Sequence, residues 1–171
     1  MIYRKLHNFP QEIIKELKDY FFNTSDQFQV KGSRNNTNSL FTEYVLKETH
    51  RKYVFENIFK CSIPLTNEYA YIQSRRFDDP SEWFHRDTFR NTALNIPIQT
   101  HPDLGAFFIA HDKTQEEWDR SKVKKLTTDC PILFDTKIMH TYMNATDQDR
   151  IMFSISFEEE ISNVTVPEEW L

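Results

Sequence analysis

Glycine is almost missing from this chain: Gly32 and Gly105 are the only two in 171 residues, so its turns must rely on Asn and Asp. Cysteine is equally scarce. Cys61 and Cys130 stand far apart, which excludes both a disulfide framework and a closely spaced zinc knuckle. No apolar run approaches the roughly 20 residues that would cross a bilayer. The opening Met1-Ile2-Tyr3-Arg4-Lys5 lacks the apolar stretch of a signal peptide. Positive charge is in deficit. At −5 overall the chain has no general cationic field for phosphates, so a duplex nucleic acid partner is not expected. These absences describe a soluble protein of a reducing compartment, with a cytoplasmic location expected.

Aromatic rings are plentiful: 15 Phe, 7 Tyr and 3 Trp supply enough apolar surface for an ordered core. The length suits a single domain over 1–171, with a helical N-terminal layer at 1–60 and a β core at 61–160. Residues 10–22 read as a helix. Pro10 suits its first turn, Glu12 its N-terminal end, and Ile13, Ile14, Leu17, Tyr20 and Phe21 form one apolar stripe. Residues 31–39 read as a polar surface loop and the most mobile segment. A second helix is expected over 42–59, capped by Thr42, with one aromatic face and one charged face.

Beyond residue 61 the pattern changes to short strands separated by turn residues. They are expected at Tyr69–Arg75, Trp83–Asp87, Thr92–Pro97, Ala106–Ala110, Lys124–Thr128, Pro131–Phe134, His140–Asn144 and Ile151–Phe157. A polar, helical insertion interrupts them at 111–123. Eight strands after a helical start point to a mostly β fold with flanking helices, a double-sheet jelly roll of the cupin-like, double-stranded β-helix kind. The helices would lie on one sheet.

Within that frame His85, Asp87 and His140 stand out. His85 and Asp87 are two apart, so an extended segment would send both side chains from the same face. Two imidazoles and a carboxylate make the facial triad that binds non-haem Fe(II) and leaves positions open. A closed structural zinc site would want a fourth ligand, and none is obvious. Arg150 follows His140 by ten residues and heads a strand whose alternation puts Arg150, Met152, Ser154 and Ser156 on one face. A guanidinium there can hold a carboxylate-bearing co-substrate.

The order H-x-D, distal His, then Arg resembles the Fe(II)- and 2-oxoglutarate-dependent oxygenases. The run Phe134-Asp135-Thr136…His140…Asn144…Arg150 is similar to small jelly-roll members and to the aspartyl/asparaginyl hydroxylases. Arg90, with Ala93-Leu94-Asn95-Ile96-Pro97-Ile98, resembles the strand after H-x-D. The resemblance spans residues 69–157. It implies Fe(II), 2-oxoglutarate and O2, with His85, Asp87 and His140 as metal ligands and Arg150 pairing the 5-carboxylate of oxoglutarate. It also implies release of succinate and CO2 as a substrate C–H bond is oxidised. Several branches carry Ser two residues after the Arg, where this chain has Met152. A hydroxyl or amide partner must then come from Tyr71, Asn95 or Ser154.

Other residues have plainer readings. Arg90 reads either as a binder of the oxoglutarate 1-carboxylate or substrate, or as a surface ion pair near Asp87. Asp135 reads as a turn carboxylate, Asn144 as a backbone partner, Tyr142 as a pocket wall and Trp83 as wall or core. His7, His50, His101 and His111 read as solvated, and Lys122, Lys124 and Lys125 as a solvated face. The alternatives to an oxygenase are a non-catalytic jelly-roll binding module and a cupin-type isomerase or epimerase. The latter would employ more His ligands than this chain offers. The primary substrate, a protein side chain or a small metabolite, has no recognisable code in the loops.

Overall fold

The computed structural model describes residues 1–31, 41–60, 70–75, 84–101, 105–111, 122–144 and 150–171. The first helix, α1 (Gln11–Thr24), starts after Pro10, carries Glu12 in its first turn and buries Ile13, Leu17 and Phe21 on one stripe. Thr24 ends it by donating its hydroxyl to the Tyr20 carbonyl at 2.6 Å. The second, α2 (Glu48–Tyr53), widens into a π-helical turn at Val54–Phe59 and stops at Lys60, whose φ of 51° is left-handed.

The helix expected over 42–59 is therefore wrong in its first third, before Glu48. Phe41–Val45 forms a strand, and Thr42 sits opposite Ser74 in the sheet instead of capping a helix. Aromatic and β-branched residues favour a pleated surface, and short apolar runs do not distinguish the two periods.

Among the described residues ten strands form two sheets. The larger has the order β1 (Tyr3–Lys5), β8 (Ile132–Asp135), β5 (Thr92–Gln99), β10 (Arg150–Phe157), β4 (Ala70–Arg75), β3 (Phe41–Val45), β2 (Gln29–Lys31). The smaller runs β7 (Val123–Thr127), β6 (Gly105–Ala110), β9 (His140–Asn144). Among the described residues these strands pair antiparallel throughout. The edge strands β1 and β2, three residues each, carry no alternation for sequence reading to find.

Strand β5 runs two residues past Pro97, where the sequence suggested an end. The proline lies beyond the four-residue pairing with β8 and beside a register shift against β10, where its missing N–H is tolerated. The expected strand at 83–87 is not formed over its described part: His85 makes one bridge to His140 and the chain then leaves the ladder. Gly105 opens β6 where a Cβ would meet Thr100 Oγ1 at 2.7 Å. Most of the insertion expected at 111–123 and most of the 31–39 loop lie outside the described residues, and Val123 at the end of that insertion already belongs to a strand.

Burial of all eight β10 residues follows from the two layers around it. Ile151, Phe153, Ile155 and Phe157 join Leu94, Ile96 and Ile98 against α1 and the 54–59 turn. Trp170 closes this core, its ring 4.6 Å from Phe9. Met152 faces the other way with Ala93, Ile132 and Phe134, meeting Phe107, Ile109 and Tyr142 of the smaller sheet. The polar residues of β10 enter that second, inter-sheet space.

Candidate metal centre

Two backbone bonds set the site. His85 N–H donates to the His140 carbonyl and His140 N–H to the His85 carbonyl, both at 3.0 Å, so the two imidazoles stand side by side with centroids 4.5 Å apart. Asp87 N–H then reaches the Thr136 carbonyl at 2.9 Å, which turns the carboxylate back toward the rings. Asp87 Oδ1 lies 3.5 Å from His85 Nε2 and 4.0 Å from His140 Nε2. One donor atom from each of the three falls within 4.8 Å of the others.

His140 is buried at 2% exposure, whereas the His85 side chain is 40% exposed, so the cluster opens on the His85 side. His140 Nδ1 lies 2.8 Å from the Ile138 carbonyl, an acceptor that places the ring proton on Nδ1 and leaves the Nε2 lone pair for a cation. Burial pushes its pKa down to about 4, and the His85 ring adds to the shift. The imidazole is thus neutral, as a ligand must be. Burial alone would raise the Asp87 carboxyl, but the hydrogen bond from the His85 ring and the Arg90 guanidinium beside it outweigh burial and hold it well below the usual carboxylate range.

Adjacent ligands on a cation bound at ~2.1 Å sit ~3 Å apart. The three donors stand wider than that, 3.5 and 4.0 Å from the carboxylate oxygen to the two rings and all within 4.8 Å, so a cation would draw them in, and their nitrogen and oxygen chemistry suits iron. They fit.

A buried polar chain leads away from the carboxylate. Arg90 Nε donates to Asp87 Oδ2 at 2.5 Å, and its Nη1 donates to Ser154 Oγ at 2.9 Å and Ser156 Oγ at 3.3 Å. Ser154 Oγ donates to Asn95 Oδ1 at 2.5 Å, and Asn95 Nδ2 donates to the Tyr142 hydroxyl at 2.6 Å. The Arg150 guanidinium lies over the Tyr142 ring, 3.9 Å from its centroid, with Nη2 3.3 Å from Met152 Sδ. Burial raises the Tyr142 phenol, against the opposing pull of Arg150 and Asn95, so it stays protonated.

Sequence reading placed His85, Asp87, His140, Arg150, Asn95, Ser154 and Arg90 as candidates, and the structure brings all seven into this one space. Tyr71 stands opposite Ser154 on β4, but its side chain lies outside the described residues, as does that of Asn144. Trp83 is likewise outside them. Arg90 is corrected in one respect: at 5% exposure its ion pair with Asp87 is buried, not on the surface, because β10 hydroxyls receive its other end. His50 is corrected too. It is half-buried, bonded through Nδ1 to the Tyr20 hydroxyl at 2.6 Å. His7, His101, His111 and the three lysines are exposed as expected.

The reading missed Ser156, Thr136 and Lys137. Thr136 Oγ1 donates to the Arg90 carbonyl at 2.6 Å, and Lys137 Nζ to the Asp87 carbonyl at 2.8 Å. Ser156 had a signal, since alternation puts it on the Arg150 face. The other two bond to backbone across about 50 residues and had none.

Comparison with known proteins bears on the fold. No protein-family model and no curated protein matches the chain. Solved structures do. The non-haem α-ketoglutarate-dependent carbocyclase SnoK aligns at TM-score 0.63 and 9% identity over 90% of this chain and 78% of its own. The α-ketoglutarate-dependent epimerase SnoN aligns at 0.60 and 10% over 89% and 76%. A prolyl-4-hydroxylase from Pseudomonas putida aligns at 0.55 and 10% over 91% and 92%. The chain thus has the fold of the non-haem iron, 2-oxoglutarate-dependent enzymes, and it carries a His-Asp-His group within it.

Proposed function

We propose that this protein is an Fe(II)- and 2-oxoglutarate-dependent dioxygenase that hydroxylates a C–H bond, built on a double-stranded β-helix. The observation that carries the reading is the convergence of His85, Asp87 and His140, from two distant parts of the chain, between the two sheets. Iron with 2-oxoglutarate and O2 supplies the oxidising power that no side chain possesses, and succinate and CO2 leave.

The chain's own residues hold and shape. His85, Asp87 and His140 would occupy one side of the ion and leave the other side for co-substrate and oxygen. His140 is kept neutral by burial and oriented by the Ile138 carbonyl. Arg150 would pair with the distal carboxylate of the co-substrate, in the role that Arg-carboxylate geometry suits. Met152 contributes no hydroxyl beside it, and Asn95 and Ser154 lie on the same bonded chain as Tyr142, on which Arg150 stacks. Phe107, Phe134 and Met152 keep water from this end of the space. A protein side chain or a small metabolite is the proposed substrate, met on the open His85 side.

Anaerobic Fe(II) with 2-oxoglutarate tests the proposal. A weak visible charge-transfer band should appear, followed on aeration by conversion of oxoglutarate to succinate, and both should vanish in His140→Ala. If the unsubstituted protein gave no band and no turnover, the oxygenase would be refuted in favour of a jelly-roll binding module.

A further inference from the structure

We propose that Arg90 is a positioning residue that holds Asp87 as a one-oxygen metal ligand and so keeps a coordination position open. The inference rests on the metal-centre reading above. The Asp87 carboxylate is divided between two tasks. Oδ1 faces the imidazoles, 3.5 and 4.0 Å from their Nε2 atoms, while Oδ2 accepts Arg90 Nε at 2.5 Å. A carboxylate that gave both oxygens to a cation would have to turn out of this charge-assisted bond, which is stronger than a neutral one. It would also leave a buried guanidinium beside a vacated partner.

Neither residue is free to follow such a turn. Asp87 is fixed through its backbone at both ends, by the Thr136 carbonyl and by Lys137 Nζ. Arg90 is fixed at its carbonyl by Thr136 Oγ1 and at its Nη1 by Ser154 and Ser156 of β10. The guanidinium therefore bridges the ligand loop and the central strand. Its planar fork is what allows one group to serve both, which an ammonium does less well.

The consequence is a matter of counting. An octahedral ion with three protein atoms has three positions left, enough for a chelating keto acid and O2 together. A second Asp87 oxygen would take one of them. The guanidinium also draws charge from the carboxylate, so its loss should tighten the hold on the bare ion while weakening co-substrate chelation. An outer partner that merely supported the ligand would show the opposite sign for the metal.

Co(II) binding followed by infrared difference spectroscopy tests this on the whole chain. A carboxylate bound through one oxygen has widely separated antisymmetric and symmetric stretches, and one bound through both has them close together. The unsubstituted protein should show the wide pair, Arg90→Gln the narrow pair, and Arg90→Lys an essentially wide one. Arg90→Gln should also bind Co(II) at least as tightly, yet bind 2-oxoglutarate to the Co(II) form ~10-fold more weakly.

A narrow pair in the unsubstituted protein, or no change in Arg90→Gln, overturns the proposal. So does a parallel loss of Co(II) and oxoglutarate binding with a lowered melting point, which would give Arg90 a purely structural role. Co(II) binding that is unaffected in His140→Ala refutes the metal centre and this assignment with it. A Co(II) form indifferent to oxoglutarate refutes the co-substrate, while the infrared comparison still decides the role of Arg90.

Discussion

Ser154 is the joint of the buried polar chain, because it accepts from Arg90 and donates to Asn95. Its removal orphans groups on both sides, and an unsatisfied buried donor or acceptor costs about 1–3 kcal/mol. Ser154→Ala should lower the urea unfolding free energy by that amount with the slope unchanged. A loss under about 0.5 kcal/mol would mean that the neighbours re-pair without it. The residues of this chain were unequally legible. His85, Asp87, His140 and Arg150 could be picked out because their types and order restrict the chemistry. The clasp of Arg90 on Asp87 could not be fixed, since its geometry depends on serines 64 and 66 positions away.

The three-residue strand β1 shows how an element can be held by few contacts. It pairs with β8 through Tyr3, Arg4 and Lys5, and Lys5 Nζ reaches Asp129 Oδ1 and Thr127 Oγ1, each at 2.8 Å. The hydrogen bond from Lys5 holds the Asp129 carboxyl down to about 2, below its unfolded value of ~3.9. A depressed carboxyl stabilises the fold above the unfolded value, and that contribution fades as pH falls toward the folded one. Asp129 is half exposed, so after solvent screening the pair contributes about 0.5 kcal/mol. Lys5→Met should be less stable than the parent by this margin at neutral pH. The gap should close as pH drops from ~4 toward 2 in chemical denaturation. Such an element escapes sequence reading because it makes no periodic pattern. Strand β10 is the opposite case: its alternation was readable because each face is buried by a different layer, helices on one side and the smaller sheet on the other. Strand β3 was misread because its aromatic residues fall into helical step with Glu48, Lys52 and Phe59 further along.

At the scale of the whole molecule, the candidate centre joins a loop ligand pair to β9, so an ion there would tie the 84–91 segment to the smaller sheet. Binding to the folded state alone adds about 2.7 kcal/mol at a hundredfold excess over Kd. Ni(II) should therefore raise the thermal midpoint by several degrees, reversibly with chelator, and leave His140→Ala unmoved. The mostly β character of the chain was legible because turn residues punctuate its second part so regularly. The pairing order was not, since it is a property of the closed sheets. That order has a consequence for biosynthesis. Strands β4 and β5 are close in sequence, yet each bonds to β10 and not to the other, so the larger sheet has a gap at its centre until residues 150–157 leave the ribosome. The intervening stretch of roughly 50 residues takes about 3–10 s to translate at 5–20 residues per second. Throughout that delay the nascent polypeptide carries the edges of β4 and β5 that the late-arriving strand will seal, and β5 stays open on its other side as well until Ile132–Asp135 has been made.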